Sequence, residues 1–192
     1  MNWIKYFFIF MLMFLSNNLS AQYKYEKEVR LKSSEVPTEM YEYVKRLVPG
    51  VRVRWYKEFG FDSNSFEAKF KHKANTYSVE FYENGMLKDV EILIRIADVD
   101  QKLFENIDAK LKAELSSYRI TRLQRQIIAS KDEIQAYFKN KSVLNELKQH
   151  YEIELWTRVA NEIVMFVYLF DKEANVIKKR RVVDQPSDNL IY

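Results

Sequence analysis

The stretch YSVEFYENGMLKDVEI, residues 77 to 92, reads as strand, tight turn, strand, and a similar stretch, VMFVYLFDKEANVIKKRRVV, returns at 164 to 183. In the first copy Val79 and Phe81 alternate with Glu80 and Tyr82, the period of a strand with one apolar face. Asn84-Gly85 between its two runs predicts a type I′ turn, because both residues tolerate a positive φ. A chain that repeats such a hairpin must cover the apolar face of each copy with something else apolar.

The cover is legible just upstream of each set of strands. Val36, Met40, Val44, Leu47 and Val48 recur at helical spacing, with Ser33 and Ser34 as caps, Pro37 in the first turn and Pro49-Gly50 as the stop. The period then falls to two: Val51, Val53 and Trp55 mark one strand and Phe66, Ala68 and Phe70 the next, followed by the hairpin with Val90, Ile92 and Ile94 in its last strand. The order then restarts. Asp98 or Asp100 caps a second helix with the stripe Leu103, Phe104, Ile107, Leu111 and Leu115, and YRITRLQRQII, 118 to 128, reads as an imperfectly alternating strand. Ser130 with Glu133 fits a capping box and opens a helical insertion near 130 to 148, before three more strands at 151–159, 162–170 and 175–183. FEAKFKHKANTYSVEFYENGMLKDVEI runs parallel to YEIELWTRVANEIVMFVYLFDKEANVIKKRRV, with Phe66 matched to Tyr151 and Glu67 to Glu152.

The fold expected is therefore α+β: a tandem duplication of an α-β-β-β-β unit, its strands joined in one antiparallel sheet of about eight, with helices on one face. The first repeat, with a lead-in at 23–31, occupies 22–97 and the second 98–183; residues 184–192 form a polar tail. Residues 1–21 stand apart. Lys5 precedes the unbroken apolar run Tyr6 to Leu15, and SNNLSA leads to a cut after Ala21, the pattern of a cleaved signal peptide. The apolar run is shorter than the roughly 20 residues that a membrane span needs. No Cys follows it to carry a lipid, so the expectation is a periplasmic or secreted protein without a stable membrane anchor. With no Cys anywhere, such a protein is held by its core and not by disulfides.

Three features carry a resemblance. A helix is entered through EVP and left through LVPG, the aromatic strand VRVRWYKE follows directly, and a strand-turn-strand reads Y-x-V-x-F-x-x-N-G-x-L. Behind a signal peptide, and in an order that recurs, these segments resemble the PepSY-like family of exported bacterial proteins, which is itself described as similar to β-lactamase-inhibitor protein. The resemblance implies two helix-plus-sheet repeats with their sheets side by side and implies no catalytic residues; protein binding or inhibition is the association it brings. The second copy departs from the pattern, with a turn that lacks Gly and with the insertion.

Composition narrows the chemistry. Lys and Arg number 31 against 27 Asp and Glu, a net +4 of mixed sign, which does not make a nucleic-acid binder. His72 and His150 have no HxH, HExxH or Cys partners, so no zinc site is expected. Asp98-Val-Asp100 lacks the ligand number and the Gly of a calcium loop and reads as a cap. No Cys nucleophile, G-x-S-x-G elbow or Gly-rich phosphate loop occurs, so neither an enzyme nor a cofactor is expected. KKRR, 178 to 181, reads as a charge-guarded edge strand.

What remains is the sheet face turned away from the helices. With Val53, Val79 and Phe81 inward, Arg54, Tyr56, Glu80, Tyr82 and Tyr168 are the candidate contact residues for an unidentified protein or peptide partner. Ordinary cross-strand pairing predicts the same pattern. The alternative function is a small-molecule or lipid carrier with a cavity between sheet and helices.

Overall fold

The computed structural model describes residues 22–24, 26–60 and 63–182. The expected signal peptide at 1–21 and the tail at 184–192 lie outside the described residues. Two short strands come first, β1 (Gln22–Lys24) and β2 (Glu26–Leu31). Helix α1 (Thr38–Leu47) and strands β3 (Arg54–Gly60), β4 (Asn64–His72), β5 (Asn75–Tyr82) and β6 (Leu87–Leu93) follow. The second half has α2 (Gln101–Glu114), β7 (Tyr118–Ile128), α3 (Lys131–Lys139), β8 (Lys148–Val159), β9 (Glu162–Phe170) and β10 (Val176–Val182). The sheet is thus larger than the eight or so strands expected, because residues 22–31 pair as well.

Strands β2 to β10 form one antiparallel open sheet, each strand hydrogen-bonded to the next in sequence order. The first two described strands lie at its two edges. β1 lies on β10 while β2, one residue later, lies on β3. The sheet must therefore coil until residues 22–31 can reach both edges. Neighbours in an antiparallel set alternate in direction, so the outermost two of nine run the same way. That parity is why β1 meets β10 in parallel.

The described helices all cover the same face. Met40, Tyr43, Val44 and Leu47 of α1 pack on Trp55, Phe70, Val79 and Phe81, whereas Leu103, Ile107 and Leu111 of α2 pack on Ile153, Leu155, Phe166 and Phe170. The helix after β7 crosses back to the first half: Ile134, Tyr137 and Phe138 of α3 belong to the α1 core, and Tyr43 donates a hydrogen bond to the Lys131 carbonyl at 2.9 Å. Lys141 locks this insertion down, its ammonium 3.6 Å from the centre of the Tyr137 ring and 4.2 Å from that of Phe138.

The caps differ in detail from expectation. Ser130 and Glu133 make their capping box and Asp100 accepts from the Leu103 N–H at 2.9 Å. Ser33 and Ser34 instead belong to a short 3-10 turn, and Pro37 is the N-cap of α1 with no side-chain cap bond. The turns pair off between the halves. Lys73-Ala74 and Ala160-Asn161, both residues of each at positive φ, make two-residue hairpins. The turn at Asn84-Gly85 is not type I′, since only Gly85 has a positive φ, +85°. Its N–H bonds the Tyr82 carbonyl at 2.9 Å, and the loop is a three-residue one closed by a left-handed residue. The later turn has the same bonds, with Ala174 at φ +63° in the place of Gly85. Asp171 braces it by accepting from the N–H groups of Glu173 and Asn175.

A Cβ added at Gly85 would meet only Glu39 Oε2, at 3.6 Å, an ordinary contact. Gly85→Ala should therefore cost only the left-handed backbone penalty, about 1 kcal/mol, or roughly 2–4 °C in the thermal midpoint. Circular dichroism melts of the two proteins check this.

Candidate functional site

Cross-strand register places the residues of the helix-free face in rows. Arg54, Lys69, Ser78 and Glu91 form one row, Tyr56, Glu67, Glu80 and Asp89 the next, and Glu28, Glu58, Ser65 and Tyr82 a third. Across β7 the face continues through Gln126 to His150 and through Gln124 to Glu152. On a flat sheet these side chains would stand in water. Here the coil turns the face inward, and Glu58, Glu67, Glu80, Asp89, Glu91 and Glu152 are all buried. The concave face encloses a cavity of about 210 Å³ lined by seven glutamates against three lysines and two arginines.

Buried charge is tolerated only when paired and hydrogen-bonded. Lys69 bridges Glu28 at 2.7 Å and Glu67 at 2.8 Å, with its ammonium 5.0 Å from the centre of the Tyr56 ring. Burial would lower the Lys69 pKa, but its hydrogen bonds and charges with Glu28 and Glu67 win and hold it above the ordinary value. Ser65 donates to Glu58 at 2.9 Å and Ser78 to Glu67. A bulge after Glu80 leaves Lys88 without a cross-strand partner, and its ammonium reaches Glu80 at 2.5 Å. Arg180 lies 3.2 Å from Glu152. Asp89 accepts from Gln126 Nε2 at 2.9 Å, and burial followed by the Glu80 charge raises its carboxyl well above the usual range. His150 Nδ1 is 3.3 Å from Gln126 Oε1, and burial lowers its pKa.

At one end of the strands the face opens into a cleft of about 340 Å³ lined by Lys69, Thr76, Tyr77, Ser78, Leu93, Thr121, Arg122, Gln124 and Glu154. Leu93 is exposed here, and Trp156, two residues beyond Glu154 on β8, is 40% exposed with Arg119 opposite it on β7.

The five residues singled out from the sequence do not form one patch. Arg54 is exposed and stands beside Lys69 in the row at the cleft end, and Tyr56 is half-buried in the middle of its strand. Glu80 is on the helix-free face but only 7% exposed, so the coil removes it from the reach of a macromolecule. Tyr82 is 41% exposed, in the row farthest from the cleft. Tyr168 is on the other face altogether: 0% exposed, paired with Ile153, its ring 5.9 Å from that of Phe170 in the α2 core. It stands in the same place after its two-residue turn as Phe81 does after the first, a register that matching Phe66 to Tyr151 misses. KKRR is not a bare edge either. Lys178 and Arg180 line the concave cavity, Lys179 turns to Glu114 on the helix side, and β1 pairs alongside.

Gln124, Gln126 and Arg122 were missed because a bulge between Ile120 and Arg122 breaks the alternation of β7. Their polarity next to buried Leu123 and Ile127 was the available signal.

The comparisons bear on the fold. No protein-family model and no curated protein matches the chain. Two solved structures are similar to it. A DUF2874 family protein from Bacteroides uniformis superposes with a TM-score of 0.51 at 14% identity, over 76% of this chain and 89% of that one. A DUF2874 family protein from Bacteroides ovatus gives 0.53 at 10% identity, over 76% and 86%.

Lys69→Met should lower stability by about 3 kcal/mol, because it leaves Glu67 and Glu28 without the cation between them. Adding Glu67→Gln should restore most of the loss, a coupling that a urea-denaturation double-mutant cycle would measure.

Proposed function

We propose that this protein is an exported, non-enzymatic binding module of the PepSY-like kind, a tandem duplication of an α-β-β-β-β unit that engages a protein or peptide through the helix-free face of its sheet. The duplication is supported by element order, a helix followed by four strands in each half with α3 inserted after the first strand of the second, and by turns of matching geometry in matching places. Export rests on Lys5, the apolar run from Tyr6 to Leu15 and the small residues before Gln22. The non-enzymatic reading rests on the lack of any Cys or nucleophile motif in the sequence.

One observation carries the binding reading: the cleft at the open end of the concave face, lined by exposed Leu93 with Arg122, Lys69 and Glu154, beyond which Trp156 is exposed on β8, two residues from Glu154. Apolar and aromatic anchors ringed by charges of both signs are the composition of a recognition surface. The contact region thus shifts from the centre of the face, around Glu80, to one end of it, with Arg54 in the adjoining row. A carrier has less support. The cavity under α1, lined by Tyr41, Val44, Val48 and Trp55 among others, is about 110 Å³, against the roughly 300 Å³ at which ligand pockets begin. The 340 Å³ cleft is large enough, but it lies at the open end of the sheet and not between sheet and helices, where a carrier cavity is expected.

Selection of a displayed random-peptide library on the immobilised protein tests this. Enriched peptides should lose at least about tenfold in affinity with Trp156→Ala or Arg122→Ala, and should bind Met86→Ala unchanged. No enrichment, or equal loss in all three variants, would count against the cleft as the binding site.

A further inference from the structure

Two acidic triads lie on the concave face, and they are neutralised differently. Glu28, Glu58 and Glu67 bring one carboxylate oxygen each within 4.8 Å of one another, and so do Glu80, Asp89 and Glu91. In the first triad Lys69 sits between two of the three carboxylates and serine hydroxyls reach Glu58 and Glu67. The second triad is buried at all three positions. Lys88 pairs with Glu80 at 2.5 Å. Gln126 donates to Asp89 Oδ2 at 2.9 Å and Gln124 to Glu91 Oε2 at 2.6 Å.

Asp89 Oδ1 is the anomaly. Its side chain is 3% exposed, yet this oxygen accepts no hydrogen bond from the described residues. A buried acceptor left so is costly, and more so beside other carboxylates. Glu80 and Asp89 are direct cross-strand partners, a placement that like charges disfavour. Gln124 and Gln126, alternate residues on one face of β7, orient two of the three carboxylates as outer donors do around a metal ion. The donor set is oxygen alone, which selects hard cations over zinc or copper. The adjoining cavity of about 210 Å³, lined by Glu80 and Glu91, has room for the waters that would complete a coordination shell.

We propose that Glu80, Asp89 and Glu91 bind one divalent, oxygen-preferring cation, of the calcium type, with Asp89 Oδ1 as a ligand. The site is independent of the peptide cleft. The cation ties β5 to β6 at the bulge and fastens the concave face from within.

The test uses purified protein stripped with a chelator and then titrated with calcium chloride to about 1 mM, the weak end of extracellular calcium affinities. Calorimetry should show uptake of one calcium ion per chain, and the thermal midpoint should rise by roughly 1–5 °C. Asp89→Asn and Glu91→Gln should each abolish both effects, while Glu28→Gln, in the lysine-bridged triad, should keep them. Absence of uptake by the wild type, or uptake undiminished in both Asp89→Asn and Glu91→Gln, would overturn the proposal. So would a chelated Asp89→Asn protein more stable than wild type while calcium leaves wild type unmoved, since a proton shared within the triad would then hold the cluster.

Discussion

The coil of the sheet is the constraint on which the rest depends. β1 and β2 are separated by one residue and yet pair with strands at opposite ends of the antiparallel set. Only a sheet bent until its edges are a strand apart allows that. The bend decides what becomes of each face. The outer one carries the large apolar side chains and is covered by α1, α2 and α3. The inner one is enclosed by the sheet itself, so residues written in the sequence as solvent-facing become buried without a helix touching them.

That enclosure turns an electrostatic pattern into a structural requirement. Glu67, Glu80 and Asp89 lie side by side in one row across three strands. Such a row is tolerable in water and expensive out of it. The fold meets the demand from several directions: Lys69 from β4, Lys88 re-aimed by a bulge, Arg180 and Lys178 from the last strand. The Lys-Lys-Arg-Arg run near the C-terminus is thus divided between two jobs. Alternate residues supply counter-charge to the inner face, while Lys179 pairs with Glu114 over the outer one.

The local elements were legible because each rests on a period. The stripe Met40, Val44, Leu47 and the alternation Tyr77, Val79, Phe81 are written in consecutive residues and are buried as written. What was not legible depends on relations between distant strands. Nothing local in the lead-in at 23–31 says that it reaches both edges of the sheet, so neither the strand count nor the burial of Glu80 could follow from it. Tyr168 shares its face with Phe166 and Phe170, an alternation readable within β9 alone, but matching the two halves two residues out of step hid its equivalence to Phe81. The bulges at Lys88 and near Thr121 shift the phase of the alternation, and they lie on the strands that supply Asp89, Glu91, Gln124 and Gln126.

A buried ionic network is poor evidence of stabilisation, since well-packed apolar residues of similar volume often do as well or better. The apolar packing here lies on the outer face, in two helix-covered clusters that share the half-buried Ile94. An inner face of Val and Leu in place of Glu and Lys would close on itself as a second dry core and leave no polar cavity. Keeping it charged holds the coil open, with a cleft at one end where Arg122, Lys69 and Glu154 meet solvent. The sheet thus divides its labour: the outer face holds the fold together, and the inner face spends stability to remain polar.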